Sequence, residues 1–135
     1  MSGLQRFVDA QDAIYATALA ELKAGHKRTH WMWFVFPQMR GLGSSSHAQL
    51  YGIASLDEAK AYLAHDVLGQ RLRECTQAVL DVKGRPLVEI LGSVDAQKFR
   101  SSMTLFLHAS GEAIFREALD RCSGGAEDER TIALL

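Results

Sequence analysis

The chain is poor in the residues that staple, anchor or interrupt a fold. It has two cysteines, Cys75 and Cys122, in 135 residues. They are too few and too far apart for a disulfide framework or a zinc site. Both fall in helix-like segments and read as buried free thiols. There are only two prolines, Pro37 and Pro86. The longest apolar run, Trp31 to Phe36, is six residues, far short of a membrane span. Neither sign of charge dominates: the net charge is -1, with acidic and basic residues interspersed. That argues against a general nucleic-acid surface. No alternating apolar pattern of a sheet, no internal repeat and no His-x-x-x-His pair occurs. Carboxylates do not cluster near the aromatic run, so metal catalysis is not expected, and no cofactor motif stands out.

What is present is an ordinary globular composition, 47% hydrophobic and 23% charged. Residues 1–135 read as one domain, large enough to bury roughly two-thirds of its unfolded surface. The opening residues, Met1 to Arg6, lack the basic-then-apolar layout of a signal peptide. A cytoplasmic location is the expectation.

Helical periodicity covers most of the chain, so the fold class is all-α, a multihelical domain of about seven helices. Leu4, Phe7, Val8, Ile14, Tyr15, Ala18, Leu19 and Leu22 mark a first helical segment, with Gly25 placed to end it. Thr29 is positioned to cap a short helix entering the aromatic stretch, which Pro37 stops. Trp33 to Phe36 is the one weak strand candidate. Ser55-Leu56-Asp57-Glu58 is a capping box that starts a helix running to about Ala64. Asp66 restarts a longer helix ended by Gly84. Leu87 to Leu91 is a short helix after Pro86. Ser93 caps the next helix, with Asp95 in its first turn. Glu112 to Cys122 follows, and Asp128 can cap a final turn.

The densest chemical signal is Thr29 to Ser46. Both tryptophans, two phenylalanines and Pro37 lie close together, and a Gly/Ser loop follows. This is what a pocket wall needs, and equally what the centre of a small core needs. The preceding cluster Lys23, His26, Lys27, Arg28 and His30 can hold an anion, or be a solvated turn. Trp31 and Trp33 are two residues apart and cannot both centre on one core; one can stack on a flat ligand. Gly41-Leu42-Gly43-Ser44-Ser45-Ser46 allows close backbone approach to a ligand but lacks the lysine of a nucleotide P-loop. Lys98, Ser101 and Ser102 share a helix face at spacings of three and four. His47 and Tyr51, four apart, can act as a proton-transfer pair or as ligand donors, or form a hydrogen-bonded structural contact. The candidate binding set is Lys27, Arg28, His30, Trp31, Trp33, Gln38, Gly41, Gly43, Ser44, Tyr51, Lys98, Ser101 and Ser102.

The residues His30 to Gln38, Gly41-Leu42-Gly43, Tyr51 to Ser55, Leu68-Gly69, Ile90-Leu91-Gly92 and Lys98 to Phe106 together resemble a small bacterial and fungal family. It is known as domain of unknown function 1810, and its members are sometimes mislabelled calpastatin. The resemblance spans nearly the whole chain, and its Trp-x-Trp-Phe-x-Phe-Pro-Gln block is specific. It implies a multihelical fold and brings no activity. The globular composition is unlike that of disordered calpastatin repeats. Ser46 to Tyr51 followed by Ile53 to Ala59 is also similar in order to a segment of the NADAR family, helical proteins that process ADP-ribose or related N-glycosides. That segment carries a glutamate before the histidine, where this chain has Ser46.

Three functions follow as expectations. The first is binding of a small anionic, nucleotide-like metabolite of the ADP-ribose or NAD type. The second is protein interaction or self-association through the aromatic stretch. The third is N-glycosidase-type catalysis. Nucleic acid and membrane are not expected partners.

Overall fold

The computed structural model describes residues 3–135. Ten helices occur among them: α1 (Gln5–Asp12), α2 (Tyr15–Lys23), α3 (Met32–Val35), α4 (Ser46–Tyr51), α5 (Leu56–Ala64), α6 (Leu68–Asp81), α7 (Leu87–Leu91), α8 (Ser93–Ser110), α9 (Ala113–Ser123) and α10 (Glu129–Ala133). The fold is all-helical, as expected, but the count of about seven was too low. The first periodic stretch is two helices. Ile14 leaves the helical region at φ -121, and its N–H bonds the Gln11 carbonyl three residues back. The segment after the Gly/Ser loop winds into α4, with the Ser45 hydroxyl accepting the Ala48 N–H. The final turn is a helix of its own, capped by the Asp128 carboxylate, which accepts the Thr131 N–H.

α8 is the central element, packed by α5, α7, α9 and α10. Six consecutive residues, Ser101 to Phe106, are buried on it, so its middle is enclosed all round. α6 closes the other side of the core against α2, α5 and α9, and α3 packs on α1, α4 and α6. Aromatic rings link these layers edge to face. Phe7 meets Tyr62 at 5.1 Å, and Phe36 meets Phe99 at 5.0 Å. The buried Gln11 amide donates to the Phe34 carbonyl (2.6 Å) and to the Tyr62 hydroxyl (3.0 Å), tying α1, α3 and α5 together.

Several helix starts differ in detail from the sequence reading. Ser55 accepts the Glu58 N–H at 3.1 Å. The Glu58 carboxylate, however, accepts from the Ala54 N–H and from Arg6, so the capping box is shifted by one residue. α6 begins at Leu68, where the His65 imidazole accepts the N–H groups of Val67 and Leu68. Ser93 is the first residue of α8 and makes no cap bond. The strand candidate Trp33–Phe36 falls mainly in α3; the extended pairing is a single parallel bridge between Met39 and Ile53. Cys75 is buried and Cys122 half-buried, both as free thiols. Burial pushes Cys75 up to about 12.

Thr29 does not cap α3, because Glu21 engages it. The Glu21 carboxylate accepts from the N–H groups of Arg28 and Thr29, from the Thr29 hydroxyl and from the Trp31 indole. Partial burial alone would raise its pKa, but these four donors outweigh that and bring it from 4.5 down to about 2. A depressed carboxylate stabilises the fold above its unfolded pKa and loses that contribution as pH falls through the folded value. We therefore expect part of the acid destabilisation between about pH 4.5 and pH 2 to be absent in Glu21→Gln. Urea unfolding across that window, compared with the parent chain, measures it; parallel pH profiles would refute it.

Candidate functional site

The local geometry of α3 sends the two tryptophans to different places. Trp31 stands just before the helix, fully buried, with its indole N–H donating to Glu21 at 3.0 Å. Trp33, two residues on, is half-buried. The His47 ring stacks on it at 4.7 Å and 25°, and Tyr51 lies nearly parallel to His47 at 6.3 Å. The Lys98 ammonium sits 4.9 Å from the Trp33 ring centroid, a cation–π contact.

Pro37 then turns the chain, and the segment beyond it is held by two backbone bonds across the Met39–Ile53 bridge. The Ile53 N–H donates to the Gln38 carbonyl and the Arg40 N–H to the Ile53 carbonyl, both at 2.9 Å. This fixes Gln38 between the loop and α4. Glycine is required on either side of that arrangement. A Cβ at Gly43 would lie 2.8 Å from the Ala48 Cβ, and one at Gly52 would lie 2.7 Å from the Arg40 Cα.

Two adjoining, solvent-open hollows result, and they share Gln38 and Lys98. The first, a dimple of about 10 Å³ with room for about one water molecule, is walled by Met32, Trp33, Phe36, Ala48, Tyr51 and Gly52. The second, about 150 Å³, is walled by Leu42, Gly43, Val94, Gln97, Ser101 and Arg130. One half is thus aromatic and the other polar. The polar half carries two cations, Lys98 and Arg130, and no carboxylate on its wall.

Each polar group there is positioned from behind. Lys98 lies 3.8 Å from one Asp95 oxygen, whose partner oxygen pairs with Lys27 at 3.0 Å. Ser101 donates to the buried Asp128 carboxylate at 3.0 Å. The same carboxylate oxygen also accepts from the Thr131 N–H and hydroxyl, which seats α10. α10 in turn carries Arg130, whose guanidinium donates to the Leu42 carbonyl at 2.9 Å. Among the described residues no group of three or more His, Cys, Asp or Glu is placed to hold a metal.

Of the residues singled out in sequence, Trp33, Gln38, Gly43, Tyr51, Lys98 and Ser101 line this cleft. The others lie elsewhere. Trp31 and Ser102 are in the core, fully buried. Lys27 points inward, bonding the Thr29 carbonyl at 2.6 Å and lying over Trp31. Arg28 is exposed in a separate shallow hollow with His26 and Glu21, and His30 is exposed. Gly41 and Ser44 are exposed loop residues, Gly41 facing Leu134. The residue missed was Arg130. Its only local signal is the Asp128 cap, which announces a helix but not the direction of its second residue.

The fold and cleft define a small multihelical domain with one composite groove between its aromatic turn and its central helix. The chain matches the family described as "Protein of unknown function (DUF1810)" over residues 1–135 and belongs to it. The solved structure of the conserved hypothetical protein Rv1873 from Mycobacterium tuberculosis is similar. It has a TM-score of 0.96 and 56% sequence identity, covering 98% of this chain and 95% of that one. Comparison with curated proteins gives no match. Among the described residues, no helix is long and apolar enough to cross a membrane.

Two outcomes follow from the geometry. Acrylamide should quench Trp31→Phe, which retains the cleft indole, strongly, and Trp33→Phe weakly. Equal quenching in the two variants would contradict the assignment of core and wall. Gly43→Ala should destabilise by about 1–3 kcal/mol in urea unfolding, because α4 must move away from the loop. A loss below experimental error would show that the contact yields freely.

Proposed function

We propose that the cleft binds a small anionic metabolite with a flat ring, nucleotide-like and of the ADP-ribose or NAD type. One observation carries this reading: Lys98 and Gln38 join an aromatic hollow to a polar one that ends at Arg130. Ligand sites typically combine a mostly apolar wall with a few convergent polar groups. Here the ring would take the place of His47, whose stacking on the Trp33 face shows that a planar group fits there. Lys98 and Arg130 neutralise the anion. Gln38 orients the ligand, and Gly43 lets the loop backbone approach it.

Binding is favoured over N-glycosidase-type catalysis because no carboxylate stands on either wall. Asp95, the carboxylate beside Lys98, is engaged by Lys27 and Lys98. A docking role for the aromatic stretch has less support. Trp31, Met32, Val35, Phe36 and Pro37 are all buried, leaving little of the stretch to meet a partner.

The test is isothermal titration with AMP, ADP-ribose and NAD, backed by thermal shift, since a ligand of the native state raises Tm. At least one should bind. Trp33→Ala and Lys98→Ala should each weaken it tenfold or more, about 1.4 kcal/mol. No binding by any of the three, with an intact melting transition, would remove the proposal.

A further inference from the structure

We infer that the polar half of the cleft is built for a terminal phosphomonoester, and that Arg130 is the residue that selects it over an internal phosphodiester. This rests on the binding reading above and narrows it, because AMP carries such a terminal group whereas the phosphates of ADP-ribose and NAD are internal diesters.

The two cations on that wall differ in freedom. Lys98 is leashed, lying over the Trp33 ring and 3.8 Å from Asp95. Arg130 has no carboxylate partner among the described residues. It is held by one bond from a single guanidinium nitrogen to the Leu42 carbonyl, which leaves its other N–H groups available. Asp128 stands behind Ser101, buried, with three donors on one carboxylate oxygen.

A point charge and a planar fork therefore face one small hollow. A phosphomonoester carries about -1.5 to -2 charges near neutral pH and three terminal oxygens. An internal diester has one charge and two free oxygens. A guanidinium engages two oxygens of one phosphate side by side, which an ammonium cannot do. The monoester satisfies Lys98 and the Arg130 fork at once; the diester satisfies one of them. The direction of the cleft sets the rest of the ligand, with the ring towards Trp33 and the phosphate towards α10. Arg130 acts as a specificity residue, and the Ser101–Asp128–Thr131 cluster positions it by seating its helix.

The experiment compares AMP, 3′,5′-cyclic AMP and ribose 5-phosphate by isothermal titration. The intact chain, Arg130→Ala and Arg130→Lys are used. AMP is expected to bind the intact chain at least tenfold more tightly than the cyclic diester. Arg130→Ala should erase that ratio, and Arg130→Lys should leave it reduced. The ratio is the readout because a folding defect would weaken both nucleotides alike. Equal affinity for AMP and the cyclic diester, or a ratio that survives in Arg130→Ala, would overturn the selection by Arg130 while leaving the cleft a binding site. Failure of all three ligands would remove this inference, and the binding reading would fall with it when ADP-ribose and NAD also fail to bind.

Discussion

The rest of the structure depends on α8 being enclosed. A helix buried on every side at its middle has no solvent to satisfy polar side chains, so a polar side chain there is stabilised by a partner inside the protein. Ser101 and Thr104 do so by reaching the same short segment. Ser101 donates to the Asp128 carboxylate, while Thr104 accepts the Asp128 N–H and donates to the Arg100 carbonyl. Those bonds bring the C-terminal segment across the molecule and dock α10. The N-terminal turns of α8 emerge from the core, and there Gln97 and Lys98 face the cleft. A packing constraint in the centre thereby sets the polar wall at the edge.

The aromatic turn supplies the opposite wall by a comparable economy. Its tryptophans are two apart, and the short helix between core and surface cannot point both the same way. Glu21 holds the inner one by its indole N–H and the preceding backbone by two more donors. The outer one is left to stack with His47 and Lys98. Pro37 and the Met39–Ile53 bridge then turn the chain so that the glycine loop returns beside it. Core and cleft are built from adjacent residues of one segment, which is why composition alone could not separate them.

Much of the fold was legible in the sequence because helix periodicity and capping are local. Ser55 and Asp128 cap where their residue types suggest. What misled was also local. Nothing in the apolar spacing around Ala13 and Ile14 announces a break, since the residues on either side keep helical register with the core. Thr29 has the chemistry of a cap, but a carboxylate eight residues earlier in sequence claims it. The site was legible in halves. Trp33, Gln38, Gly43, Tyr51, Lys98 and Ser101 share the cleft, yet Arg28 does not, because its backbone is drawn to Glu21 and its side chain faces another hollow. Arg130 is brought in by contacts separated by tens of residues, and no spacing rule reaches that far.

One serine on α8 was left out of the bonding that seats α10. The Ser102 hydroxyl is fully buried and has no hydrogen-bond partner among the described residues. A dehydrated hydroxyl without a partner is a cost the native state carries and the solvated coil does not. The protein therefore sits below the stability its own backbone can reach. Its centre holds a reserve that a methyl side chain would release, and only with that change would the scaffold gain margin to absorb destabilising change elsewhere, the cleft included.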